Sequence, residues 1–124
     1  MAIPGSSDGL EVLRSGQILT QSNSWTALKF DGTSPSTATG SYTVPANHII
    51  TMLSIIWAER GNSAEVFHFA HQHGYVLIHQ ALAAYGTFVW NERMVCKGGE
   101  NYQTVTTSTA NVDILYSYLD QDWS

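Results

Sequence analysis

The stretch SYTVPANHIITMLSIIWAE, residues 41–59, leaves the chain few folds to choose from. It reads as a short lead-in strand, a turn at Pro45-Ala46-Asn47, and then the longest apolar strand in the molecule. Successive side chains of a strand point to opposite faces. Ile49, Thr51, Leu53, Ile55 and Trp57 therefore share one face, and Ile50, Met52, Ser54, Ile56 and Ala58 the other. Both faces are largely apolar, which predicts a central strand covered on both sides.

The remaining segments repeat that pattern at shorter length. Leu10–Ser15 and Gln17–Thr20 read as two short strands either side of Gly16, and Ser24–Phe30 as a longer one. Asp31–Gly40, DGTSPSTATG, is a loop, opened by Asp-Gly and closed by Gly. Arg60-Gly61-Asn62-Ser63 is the strongest hairpin signal, followed by the alternating strand Ala64–Ala70. His71-Gln72-His73-Gly74 reads as the next turn and Tyr75–His79 as a strand. QALAAY, residues 80–85, has helical composition but is too short for an independent helix, so a loop or single turn is expected. Gly86–Asn91, Met94–Lys97, Tyr102–Ser108 and Val112–Leu119 complete the set, with a hairpin turn at Gly98-Gly99. Short strands at roughly 8–12-residue spacing, with almost no helix, predict an all-β fold. The expected architecture is an antiparallel β-sandwich of jelly-roll type, because repeated βαβ units would need helices. Residues 1–40 group as an N-terminal arm, short strands and a surface loop, and residues 41–124 as the sandwich. Met1–Gly9 is the arm itself, Gly- and Ser-rich and expected to need a neighbour to hold it.

Composition narrows the partners. The net charge is −5, with only Lys29, Lys97, Arg14, Arg60 and Arg93 as cations, so no basic footprint for nucleic acid is present. No run approaches the ~18 apolar residues of a membrane helix. The first residues lack the basic region and apolar core of a signal peptide. Charged residues make up 12%, about half the usual share, their place taken by Ser, Thr, Asn and Gln. Such a surface suits a protein whose outside is occupied by neighbours, since interface centres are depleted in charge. A single cysteine, Cys96, forms no internal disulfide, fits a reducing interior, and reads as a small apolar strand residue.

Few residues carry chemistry. His68, His71, His73 and His79 lie close together, and His71 with His73 has an H-x-H spacing that suits metal ligands. In a cupin-like site an acid would follow about four residues after the second histidine, where Leu77 stands. His71 and His73 are thus weak metal candidates, and histidines in a polar turn and half-buried strand are the expectation. No G-x-S-x-G, no cysteine–histidine–acid set and no phosphate-binding glycine loop occurs. No catalytic residue and no cofactor is expected. Among the tryptophans, Trp57 is in phase with Leu53 and Ile55 and reads as core. Trp25, Trp90 and Trp123 remain as rings that could stack on a sugar face or a neighbour.

Several motifs coincide with one family. Val44-Pro45-Ala46, the Ser54-Ile55 strand, Gly61-Asn62-Ser63, Gly98-Gly99-Glu100-Asn101 and the closing strand Val112–Leu119 resemble small virion structural proteins of tailed bacteriophages. The upstream segment Leu13–Leu28 is similar to their lead-in. The cluster His68–His79 and QALAAY depart from the pattern. The resemblance implies a non-enzymatic virion protein assembled in the host cytoplasm. It implies above all a capsid decoration (cement) protein, binding the major capsid protein or other virion proteins as a homo-oligomer, with a trimer favoured. A neck, tail or fibre component, or a carbohydrate-binding receptor-recognition module, is the alternative. Interface candidates on this reading are Ile3, Pro4, Leu10, Trp25 and Trp123.

Overall fold

The computed structural model describes residues 11–21, 25–30, 42–71, 75–106 and 111–123. Nine strands are present among them: β1 (Glu11–Gln21), β2 (Thr26–Ala27), β3 (His48–Glu59), β4 (Glu65–His71), β5 (Tyr75–Leu82), β6 (Thr87–Trp90), β7 (Met94–Lys97), β8 (Tyr102–Thr106) and β9 (Val112–Asp122). They form two antiparallel sheets packed as a β-sandwich. One sheet has the order β1-β9-β3-β6, with β7 also on β3, and the other the order β2-β8-β4-β5. β6 pairs with Ile55–Ala58 and β7 with Ile49–Met52, so the two lie end to end along one edge of β3.

β3 is central, as its apolar length requires, with β9 on its other edge. Strict alternation along it fails at one point. The register with β9 steps from Met52↔Tyr118 to Ser54↔Ser117, which leaves Leu53 as an extra, bulged residue. Ile50 and Met52 before the bulge, and Ile55 and Trp57 after it, therefore all face the core. The expectation that both faces of β3 are covered is corrected by the same geometry. Ile49, Thr51, Ile56 and Ala58, on the other face, are only half-buried.

The core between the sheets is aromatic. Trp57 stacks on Phe67 at 4.5 Å and meets Phe69 and Phe88 edge-on. Its indole N–H donates to Thr104 Oγ1, whose hydroxyl donates in turn to the His68 carbonyl. A buried Trp thus keeps its polar group satisfied. A second cluster sets Phe30 edge-on to Tyr116 and Tyr118, and the Tyr116 hydroxyl donates to the Lys29 carbonyl while accepting from the Lys29 N–H.

Residues assigned to the N-terminal part take part in both sheets. β1 is one continuous strand through Gly16, pairing with β9 from Glu11↔Gln121 onward, rather than two strands. Gly16 is not a breaker here. A Cβ at that position would lie 2.4 Å from the Tyr116 ring, so only glycine lets the ring pass. Of the described residues of Ser24–Phe30, which are 25–30, only Thr26 and Ala27 pair as strand, with Thr104 and Gln103, although Leu28 and Phe30 are fully buried. The lead-in at Val44 joins no sheet. Its N–H donates to the Glu100 carbonyl, and its carbonyl accepts from Gly99, which has φ +86°. QALAAY is divided: Gln80–Leu82 closes β5, with Leu82 opposite Glu65, and the turn follows. The arm Met1–Gly9, the loop Asp31–Gly40 and the turn residues 72–74 lie outside the described residues.

Glu59, at the end of β3, organises the turns beside it. Its buried carboxylate accepts the backbone N–H groups of Gly61 (2.7 Å), Ser63 (3.1 Å) and Tyr85 (2.9 Å). Tyr85 and Asn62 both have positive φ, and these bonds hold the two turns in place. Burial acts to raise the Glu59 pKa, but the backbone donors Tyr85, Gly61, Ser63 and Asn62 together outweigh it and hold the pKa below the usual 4.5. A carboxyl depressed in the folded state stabilises the fold above its unfolded value and loses that contribution as pH falls through the folded one. Melting temperatures followed from neutral pH into the acid range should therefore decline below about pH 4.5. In Glu59→Gln the neutral-pH melting temperature should drop and the acid decline should shrink. An unchanged acid decline would show that Glu59 does not contribute it.

Candidate functional site

The side of the five-stranded sheet turned away from the core is the most distinctive surface of the molecule. Strand alternation and register build it in rows. One row runs Leu13–Leu119–Thr51–Val95, the next Ser15–Ser117–Ser54, and a third Gln17–Leu115–Ile56–Val89. Leu13 is 68% exposed, Val95 55%, Leu115 50% and Val89 49%, although each sits within a paired strand. Soluble single chains seldom show large hydrophobic residues side by side on one sheet face. No charged residue lies within these rows. The charges sit at the margins, as Glu11 with Gln121 (2.9 Å), Asp113 with Arg60 (3.4 Å), and Lys97. Two apolar rows either side of a row of serines, with charge confined to the margins, give the charge-depleted centre and polar rim of a protein–protein interface. The face also carries a shallow groove of about 330 Å³ between Leu19, Ile56, Ala58 and Leu115.

The other surface features are polar or structural. Asp120 faces inward at the sheet edge. It accepts from His48 Nδ1 at 2.9 Å and lies 3.6 Å from Arg14 Nε, while His48 Nε2 is 3.7 Å from Asp122. On the outside of the four-stranded sheet His68 stacks on His79 at 4.2 Å, directly across β4 and β5. Burial, reinforced by His79, pushes the His68 pKa down.

The residues singled out from sequence fall in different places. Trp25 is half-buried beside β2, its ring 6.3 Å from that of His68. Trp123 is half-buried with its backbone N–H donating to the Asn47 carbonyl, and it lines a groove of about 710 Å³ with Pro45, Asn47, Lys97 and Gly98. Trp90 meets Phe69 edge-on at 5.5 Å, so its ring serves the core and is no platform for a sugar. Ile3, Pro4 and Leu10 lie outside the described residues, as does His73, so the H-x-H pair is not placed as a pair. His71 is placed, and its neighbours are ones that sequence spacing did not indicate. Its Nε2 lies 3.5 Å from Glu100 Oε1, and donor atoms of His71, Cys96 and Glu100 all lie within 4.8 Å of one another.

No family model matches this chain, and neither a curated protein nor a solved structure matches it. Among the described residues no helix is long and apolar enough to cross a membrane. The outer sheet face was missed in sequence because its residues read as core. Ile56, Leu115 and Val89 alternate in apolar strands like any buried residue, and only the sheet order exposes them.

Proposed function

We propose that the chain is a non-catalytic structural protein of a tailed-bacteriophage particle, a capsid decoration protein that binds the assembled head as a homo-oligomer, with a trimer favoured. The observation that carries this reading is the outer face of the five-stranded sheet, with two apolar rows flanking a row of serines and charge only at its rim. A stiff aromatic-cored sandwich presenting such a face is suited to packing against protein. In a closed ring each copy would offer this face to its neighbour or to the capsid beneath. The motifs Val44-Pro45-Ala46, Ser54-Ile55 and Gly61-Asn62-Ser63 support the same family. The strand order supports the jelly-roll form of the sandwich. With β6 and β7 counted as one interrupted strand, eight strands fall into two four-stranded sheets with the crossing connections of that fold.

The virion assignment is tested on particles. Phage particles produced from the genome that encodes the chain, purified by density gradient, should carry it in a fixed ratio to the major capsid protein, and antibody should label the heads. Recovery of the chain only in the soluble host fraction would contradict the assignment. Labelling of necks or tails alone would move the protein from the head to those parts.

A further inference from the structure

We propose that His71, Cys96 and Glu100 form a binding site for a divalent transition-metal ion, with a ligand set suited to zinc, which ties the two sheets of the sandwich together. The three residues come from separate parts of the fold. His71 ends β4 in the four-stranded sheet, Cys96 lies on the inward face of β7 in the five-stranded sheet, and Glu100 follows the Gly98-Gly99 turn that leaves β7. Their donor atoms nevertheless converge to within 4.8 Å of one another. Around a tetrahedral ion with ordinary zinc–sulfur and zinc–nitrogen bonds, ligand atoms sit roughly 3.5 Å apart, so side-chain rotation of about an ångström closes the set. Thiolate, imidazole and carboxylate are together the donor set of zinc, and three protein ligands leave one position for water.

Two features of the cluster are poorly explained without an ion. His71 Nε2 is buried with no hydrogen-bond partner, and Glu100 at 3.5 Å is too far for a good one. A metal–nitrogen bond would satisfy that atom. The Cys96 thiol is fully buried, yet its sulfur lies beside a carboxylate rather than among aliphatic groups alone. The surroundings are already built for ligation. The Lys97 N–H fixes Glu100 Oε1 at 2.9 Å, and the Tyr102 ring lies 5.1 Å from the His71 ring, with its hydroxyl anchored on the Val95 carbonyl. Burial, with Glu100 adding to it, pushes the free thiol up to about 12. Binding must therefore displace the thiol proton, which leaves to solvent as the metal–sulfur bond forms.

The test is cobalt(II) titration of the purified, chelator-treated, reduced chain. Wild type should develop a near-ultraviolet thiolate-to-cobalt band and strong visible bands of a four-coordinate ion, saturating at one equivalent and bleached by one equivalent of zinc. Zinc should also raise the melting temperature. Cys96→Ala should lose the near-ultraviolet band. His71→Gln and Glu100→Gln, which leave the cysteine in place, should bind cobalt at least about tenfold more weakly. Circular dichroism on each variant separates loss of binding from loss of fold. A wild type with no thiolate band at excess cobalt overturns the site, as does undiminished affinity in both His71→Gln and Glu100→Gln. Visible bands alone, from histidines elsewhere, also count against it.

Discussion

Replacing Ile55 with aspartate is expected to abolish the cooperative thermal transition of this protein. Ile55 is 1% exposed and lies in register between Tyr116 of β9 and Trp90 of β6. Losing its buried aliphatic surface costs about 2–3 kcal/mol, and stranding a carboxylate with no partner adds several more. That sum is comparable with the whole stability of a single domain, about 5–15 kcal/mol. Circular dichroism melting checks the result, and two companions sharpen it. Met52→Asp should be as damaging, because the bulge at Leu53 returns Met52 and Ile55 to the same face. Ile56→Asp, on the half-buried outer face, should leave a cooperative transition in place. If Met52→Asp and Ile56→Asp are equally tolerated or equally damaging, β3 alternates without interruption and the bulge at Leu53 is contradicted.

The strand-and-turn pattern was legible where local chemistry decides it. Met94–Lys97 is a strand as expected, Gly61-Asn62-Ser63 is a turn, and Trp57 lies in the core. The rest depended on contacts distant in sequence. Nothing in Met52-Leu53-Ser54 marks a bulge, since neither glycine nor proline is present and the extra residue shows only against β9. Gly16 reads as a breaker but is the residue that admits the Tyr116 ring, a contact one hundred positions away. The helical composition of Gln80–Leu82 is overridden by pairing with β4 and by burial of Leu82. For His71, the H-x-H spacing drew attention to His73, whereas Cys96 and Glu100 come to it across the sandwich. Spacing along one strand carries no information about a site assembled between two sheets.

The second large effect concerns the outer face of the five-stranded sheet. Leu13 and Leu115 sit on the outer rows of β1 and β9, both at least half exposed in the single chain. Glutamate at both positions should barely alter the fold, because exposed substitutions usually change stability by no more than about 0.5 kcal/mol. In an assembly through this face the same positions lie in its two apolar rows and become buried. Losing two buried leucines there costs roughly 1.5–3 kcal/mol each, and every 1.4 kcal/mol is a factor of ten, so association should weaken about 100-fold or more. The direct measurement is the molar mass of wild type and of Leu13→Glu/Leu115→Glu by light scattering across a concentration series, with melting curves alongside. Assembly through this face predicts an oligomeric wild type and a monomeric double variant with the wild-type melting temperature. A double variant that keeps the wild-type mass, or a wild type that is monomeric at every concentration, would contradict it.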